Sequence, residues 1–571
     1  MIVVSLAVST PVSAVTLYVW IDRDTIIPAL SPPAPGDSSA PYKEIQDAID
    51  AASTGDVIRV AGGSYNNIEM TSADHLDLDV EIVHDNSWTA TAWGVPANAK
   101  AYIEGHATEC CAGVFIEGGQ SSDTRIQGFI IRDWRPLTVG GVTIHPAGGL
   151  NGDHQRGSSP RFVNCEITGN VQSTLGPFYG GAGVQIGWNC DPTFDGCTIS
   201  TNSFENANNR GVGAAVWIYA ALADDEDCSS AIANEYPQPV FTACTFVGND
   251  ATHDPADAGG AIAITCGGGT FDKCTFLNNL SNEDGGAIWG RGVENVTIVN
   301  CTFTGNQSVS GGGGAVALGD LAGEGGRSRI ERCSLVGNGA AYGGALFAWD
   351  FPDDSITICH NTFSSNSATG SAANVGRGSA VVLRAEDQDS DFLFVNNLLY
   401  GNLVRDLTSP NVDDRRCVLS LESESSTGQR CVVNGANNTI ANNSDRAITL
   451  RAVGSSDNVD LILYNEILYF NGTQVNPSVH EHSTAPPANM TFDVRYSDNE
   501  QGIVGTGNIN LDPKFKSSTN FRLQAVSPCI DFGLDAGWTA ALAIDPTILN
   551  VDLSSKPRFN GTIDMGAYEH Q

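Results

Sequence analysis

Apolar and polar residues alternate in short runs along most of this chain, as in "VENVTIVNCTF" at residues 293–303 and "GGAIWG" at 285–290. Strict alternation over a few residues is the period of a β-strand with one face buried. The runs come back as a phrase: "CTFLNN…GGAIWG" from Cys274, "CTFTGN…GGAVAL" from Cys301 and "CSLVGN…GGALFA" from Cys333. Aligned asparagines at Asn170, Asn202, Asn249, Asn279, Asn306, Asn338, Asn366, Asn402 and Asn443 are separated by 27 to 47 residues. A fixed lower limit with longer exceptions describes one structural unit carrying insertions.

Strands this short are unstable alone, so they predict coils of a solenoid stacked in register at roughly 4.8 Å. Equivalent positions then form files along the axis. Cys165, Cys197, Cys244, Cys274, Cys301 and Cys333 become a buried thiol file. Ile167, Ile199, Phe246, Phe276, Phe303, Leu335 and Phe363 become the main apolar file, and the asparagines a corner ladder in which each amide bonds to its neighbour. Glycines ahead of the strands supply the tight turns. The expected fold is all-β, a single-stranded right-handed parallel β-helix with an N-terminal capping helix and a C-terminal β-rich closing segment.

The "GGAI" of residues 259–262 and 285–288, together with "FVGN", "FLNN" and "FTGN", resembles the paired motifs of chlamydial polymorphic outer-membrane proteins, whose passengers are right-handed parallel β-helices. The likeness spans about residues 160–445 and implies the fold more than an activity. "PYKEIQDAIDAASTGDVIRVAGGSY" at 41–65 places Ile45, Ala48, Ile49 and Ala52 on one helical face and resembles the capping helix and first coil of pectate-lyase-like proteins; "TRIQGFIIRDW" at 124–134 is similar to an early coil. "LDPKF", "SPCIDFG" and "KPRFNGTIDMGAYEHQ" resemble the terminal segment of choice-of-anchor Q domain proteins. In that family a surface anchor often follows; here the chain ends at Gln571, which implies release or non-covalent attachment. The organisation expected is therefore 1–14 as a signal peptide or a retained apolar strand, 15–100 as cap and first coils, 101–510 as β-helix repeats, and 511–571 as the choice-of-anchor Q-like segment.

Charge narrows the function. Sixty-five acids against 29 bases give a formal charge of −36, which excludes a nucleic-acid partner needing clustered Lys and Arg. No later stretch is long and apolar enough to span a bilayer as a helix. The 15 cysteines divide: the thiol file faces along the axis and stays free, while Cys190, Cys228, Cys417 and Cys431 flank insertions and are the better bridge candidates; Cys110 and Cys111 are adjacent. No C-x-x-C or His-paired spacing points to zinc.

Catalysis on acidic glycans is a second chemistry that a β-helix can carry. A lyase needs a cation or Arg for the uronate carboxylate and Lys, Arg or His as base. Lys273, the one lysine of the repeat block, sits beside an inward Cys274 and so faces solvent. The insertion "TIHPAGGLNGDHQRGSSPRF" supplies His145, Asp153, His154, Arg156 and Arg161, of which His154, Arg156 and Asp153 are the catalytic candidates against a plain solvated loop. Asp224–Asp227, Asp353–Asp354 and Asp413–Asp414 are acidic runs in insertions and not the spaced pair of a hydrolase. In "EDQDSDF", Asp387, Asp389 and Asp391 alternate on an extended segment and are candidates for calcium, the one cofactor expected if any is bound. Trp88, Trp93, Trp134, Trp188, Trp217, Trp289 and Trp349 offer a third chemistry, sugar platforms, wherever a ring faces outward.

The residues therefore favour a secreted or cell-surface structural and binding protein of a bacterium, adhesin-like. Its partners would be a glycan or a cell-surface or matrix protein, with self-assembly into a homo-oligomer or fibre through open strand edges. The alternative is a polysaccharide lyase or other carbohydrate-active enzyme acting on acidic glycans.

Overall fold

A computed structural model describes residues 14–21, 41–71, 73–87, 98–105, 112–135, 140–146, 157–172, 178–205, 210–220, 228, 236–255, 257–320, 327–352, 356–370, 376–405, 416–424, 428–453, 456–472, 479–483 and 490–571. Within them the chain winds as a right-handed parallel β-helix. Each turn lays one strand on each of three faces. The first face carries the GGA strands and the second the strands before each Cys. These two runs are joined into a 26-stranded sheet where Ile262–Asp272 and Ile288–Val299 pass through the corner between them. The third face is a 14-stranded sheet of the "CTF"-type strands, and a ladder of eight two-residue strands follows the asparagines.

The files stand as the repeat requires. Phe246 pairs with Phe276, Phe276 with Phe303, Phe303 with Leu335, and Leu335 with Phe363. The rings of Phe246, Phe276 and Phe303 stack with centroids 4.7 and 4.6 Å apart, so the aromatic spacing is the strand spacing. A second file runs parallel to it through Phe162, Phe194, Phe241 and Phe271. The thiols of the Cys file are free and buried, and Cys301 Sγ, for one, donates to the Phe271 carbonyl of the preceding coil at 3.2 Å.

In the asparagine ladder, Asn279 Nδ2 donates to Asn306 Oδ1 at 2.9 Å and to the Phe246 carbonyl at 3.0 Å, while its backbone N–H donates to the same Asn306 oxygen at 3.0 Å. The pattern repeats from Asn170 to Asn443 and reaches Asn471. Every rung thereby satisfies corner groups that burial would otherwise leave idle at about 1–3 kcal/mol each.

Glycine does not make every corner. Gly259, Gly285 and Gly313 precede the GGA strands at φ 68°, 69° and 66°, but the corner before the Cys file is built from Lys273, Asn300, Arg332 and His360 at φ 52–58°. Ladder bonds on both sides hold these residues in the left-handed region, at a local cost of about 1–2 kcal/mol each.

The short helix α1, Ile45–Ala51, covers the N-terminal end of the bore with Ile45, Ala48 and Ile49 buried and Ala52 packed beside them. The strand Thr16–Val19 is already a rung, pairing in parallel with Val57–Val60. At the other end the chain reverses. Residues 511–571 contain one antiparallel hairpin (Phe515–Ser517 with Asn520–Leu523) and one helix, α2 (Asp535–Ile544). This segment folds back along the flank: Trp538, Ala541 and Ile548 pack on the outward residues Cys359, Leu393, Val395 and Ala436 of the second face.

Of the four bridge candidates outside the file, Cys228 is bridged and the other three depart from expectation. Cys228 bonds to Cys266, 38 residues away, while Cys190, Cys417 and Cys431 are free and buried. Cys417 stands in register with Arg446 on the first face, and Cys431 with Ser390 and Val459 on the second. Flanking an insertion placed them on different faces. Cys110 and Cys111 lie outside the described residues.

Candidate binding face on the first sheet

Alternate residues of the GGA strands point away from the bore, and register sorts them into two outward columns. One reads Trp217, Ala263, Trp289, Ala317, Phe347, Val382, Ser420, Thr449. The other reads Tyr219, Thr265, Arg291, Gly319, Trp349, Arg384, Glu422, Arg451. In the first column large residues alternate with small ones, because a ring lying on the sheet needs the space of two coils. Gly319 makes the same concession to Trp349: a Cβ there would sit 2.1 Å from the indole. The result is a contiguous apolar ridge outside the bore, from Trp188 to Val382, anchored beside the Cys228–Cys266 bridge. Trp289 is only 6% exposed, so it packs in the ridge; Trp349 stays half-buried and is stacked on Phe347 at 4.7 Å. Trp134 is fully buried, and Trp88 and Trp93 lie outside the described residues.

The ridge ends in charge. Glu422, fully buried, pairs with Arg377 and with Arg384 Nη2 at 3.0 Å, and Arg451 reaches Glu424 at 2.8 Å. Burial by itself would push the Glu422 carboxyl up, but Arg377, Arg384 and Arg451 hold it well below the usual range. Burial opposes the charge on Arg384 as well, and Glu422 with its acidic neighbours more than restores it, so this guanidinium is held charged. Arg384 lies 4.9 Å from the Phe347 ring and 5.3 Å from Tyr342, a cation–π setting. The backbone of His482 is next in register after Arg451.

At the opposite end, His145 Nε2 is 2.9 Å from the Tyr219 hydroxyl, and burial pushes the imidazole pKa down to about 4. The insertion carrying Asp153, His154 and Arg156 leaves the first face just after His145, and these three residues lie outside the described residues. Arg161 is exposed on the second face, paired in register with Arg125 and Thr193, and is not brought to His145. The acidic runs at 224–227, 353–354 and 413–414 also lie outside the described residues. Beyond His145, a cleft of about 730 Å³ is lined by Gln46, Asp50, Glu69, Asp74 and His75.

The Asp387–Asp391 segment is used by the fold. Asp350 Oδ1 accepts the backbone N–H groups of Glu386 and Asp387 at 2.7 and 3.1 Å, and Asp389 Oδ1 accepts that of Arg430 at 2.8 Å. The three candidate carboxylates are not gathered at one point. Among the described residues the one group of three potential metal ligands is Glu331, Cys359 and His360, all buried on the second face. Sequence reasoning missed both this group and the Arg377–Arg384–Glu422 cluster. The signal available was weak: isolated charges at outward positions of strands otherwise apolar.

A Chlamydia polymorphic membrane protein (Chlamydia_PMP) repeat matches residues 273–291 and 300–318, each match running from the corner before a Cys through the following GGA strand. No curated protein matches the chain. Among solved structures it is similar to pectate lyase Pel9A, at 12% identity over 98% of both chains with a TM-score of 0.29. It is also similar to the Siphovirus 9NA tailspike receptor binding domain, at 9% identity over 82% of this chain and 76% of that one, with a TM-score of 0.32. The strand registers, not these distant likenesses, define the fold, and the chain is a right-handed parallel β-helix bearing polymorphic-membrane-protein-type repeats.

Proposed function

We propose that the protein is a bacterial surface-exposed binding rod, adhesin-like, and that the ridge and arginine cluster of the first face contact acidic glycans. The observation that carries this reading is that the outward row, buried through Phe347 and Arg384, keeps open edges at Trp349 and Arg451. Aromatic rings offer stacking faces to sugars, and guanidiniums recognise carboxylates in pairs of hydrogen bonds. The repeat shared with polymorphic membrane proteins supports a place at the cell surface. A rod of stacked coils keeps such a row rigid, which limits the entropy lost on binding.

The second reading, a polysaccharide lyase, draws on the stack Arg384, Glu422, Arg451 along one parallel sheet. A lyase base must accept a proton, whereas Arg384 is held charged by its partners. That favours binding over abstraction.

Immobilised polyuronate and sulfated glycans separate the readings. Wild type is expected to bind, and W349A and R451M to weaken binding about tenfold at a temperature where each variant is still folded by circular dichroism, as for loss of one anchoring contact. Equal binding by wild type and both variants would remove the ridge as the contact surface. Release of unsaturated sugar absorbing in the ultraviolet would establish the lyase instead.

A further inference from the structure

We propose that Glu331, Cys359 and His360 bind a transition-metal dication of the zinc class beneath the C-terminal segment. Glu331 and Cys359 are register partners on the neighbouring strands Ser328–Glu331 and Ile356–Cys359, so both side chains leave the second face on adjacent rungs. His360 follows at the corner with φ 58°, which turns its ring back beside them. One oxygen, one sulfur and one nitrogen then lie within 4.8 Å of one another. A mixed set of thiolate, imidazole and carboxylate suits zinc or cobalt and is wrong for calcium or magnesium, which take oxygen.

The histidine is oriented for this task. Its Nε2 lies 3.0 Å from the Val551 carbonyl. A carbonyl only accepts, so Nε2 holds the hydrogen and Nδ1 presents the lone pair. Nδ1 is buried without a hydrogen-bond partner in a residue 3% exposed. A backbone carbonyl fixing the far nitrogen of a ligating imidazole is the usual outer-shell arrangement of metal sites.

Charge is close to balanced. Arg329 Nη1 is 2.9 Å from Glu331 Oε2 and 3.8 Å from Cys359 Sγ, and its other nitrogen pairs with Asp545. Arg332 Nη2 is 2.6 Å from Glu331 Oε1, on a side chain 36% exposed that has room to swing outward. On binding, the Cys359 thiol proton passes to solvent and the thiolate, Glu331 and Asp545 offset the dication and Arg329. A tetrahedral zinc site holds ligand atoms roughly 3.5 Å apart, so modest side-chain rotation brings the three into place and a water takes the fourth position. Because Val551 and Asp545 belong to the folded-back segment, the bound ion would fasten that segment to the coils.

The test uses the full chain, stripped with chelator and titrated with Co²⁺ under reducing conditions. Expected are one equivalent bound, sulfur-to-cobalt charge-transfer absorption, its loss in C359S and H360Q, and a Tm raised by Zn²⁺. Absence of the band, or an undiminished band in C359S, would overturn the proposal. Should C359S fail to fold, X-ray absorption of the wild-type zinc protein decides: one sulfur in the first shell supports the site, and none or several refute it.

Discussion

The backbone N–H of Cys333 donates to Asn361 Oδ1 at 2.8 Å, and at this bond the thiol file becomes a second amide ladder. Asn361 passes the pattern to Asn397, Asn397 to Asn438, and Asn438 to the buried Glu466. Cys333 Sγ already donates to the Ile298 carbonyl at 3.5 Å, in the place where Asn361 Nδ2 donates to Ile330 at 2.8 Å. C333N is therefore expected to keep stability within about 1 kcal/mol by lengthening the ladder, whereas N397A should lose about 3 kcal/mol by idling several buried groups at once. Urea unfolding of the two variants checks both signs.

Two glycines that look alike in sequence should respond differently. A Cβ on Gly286 would lie 2.2 Å from the Gly314 carbonyl and 2.6 Å from Gln307 backbone, none of which can move aside. On Gly337, at φ 65°, it meets nothing within 4 Å. G286A is expected to cost more than about 3 kcal/mol or prevent folding, and G337A only about 1 kcal/mol of backbone strain. Thermal melts of both proteins measure the difference.

His145 gives the fold an acid sensitivity. Burial holds its pKa near 4, below the ordinary 6.5, so between these values the unfolded chain binds a proton that the folded one refuses. Its contribution is complete above pH 6.5 and is lost as pH falls toward 4, up to about 3 kcal/mol. Replacing it by an uncharged residue, as in H145Q, should flatten the stability profile in that window; an NMR titration showing an ordinary imidazole pKa would contradict this account.

Glu422 should be the most sensitive charge on the first face. E422A leaves Arg377, Arg384 and Arg451 without their shared buried partner and is expected to cost about 3–5 kcal/mol. E422Q retains hydrogen bonding but loses the charge, and should fall between the variant and wild type in denaturant midpoint.

Much of the architecture was legible because repetition writes it many times over. The file through Phe276, Phe303 and Leu335, the asparagine ladder and the buried face of α1 follow from spacing alone, since each coil sees the same environment as the next. The expectation that Cys417 and Cys431 form bridges failed for the opposite reason. They depend on which face each strand beside the insertion between them joins, and no other coil reports on that. The Cys228–Cys266 bridge is a single event of the same kind.

By itself the sequence determined that like residues meet along an axis, because strands too short to stand alone must stack and period-two patterning fixes which side faces inward. Tertiary structure decided everything that happens once. It set the reversal that lays residues 511–571 on the second face, the meeting of Arg384 with Glu422 across coils, and the convergence of Glu331 with Cys359 and His360. Insertions of unequal length separate these residues in the chain, and only the closed register of the coils brings them to adjacent rungs.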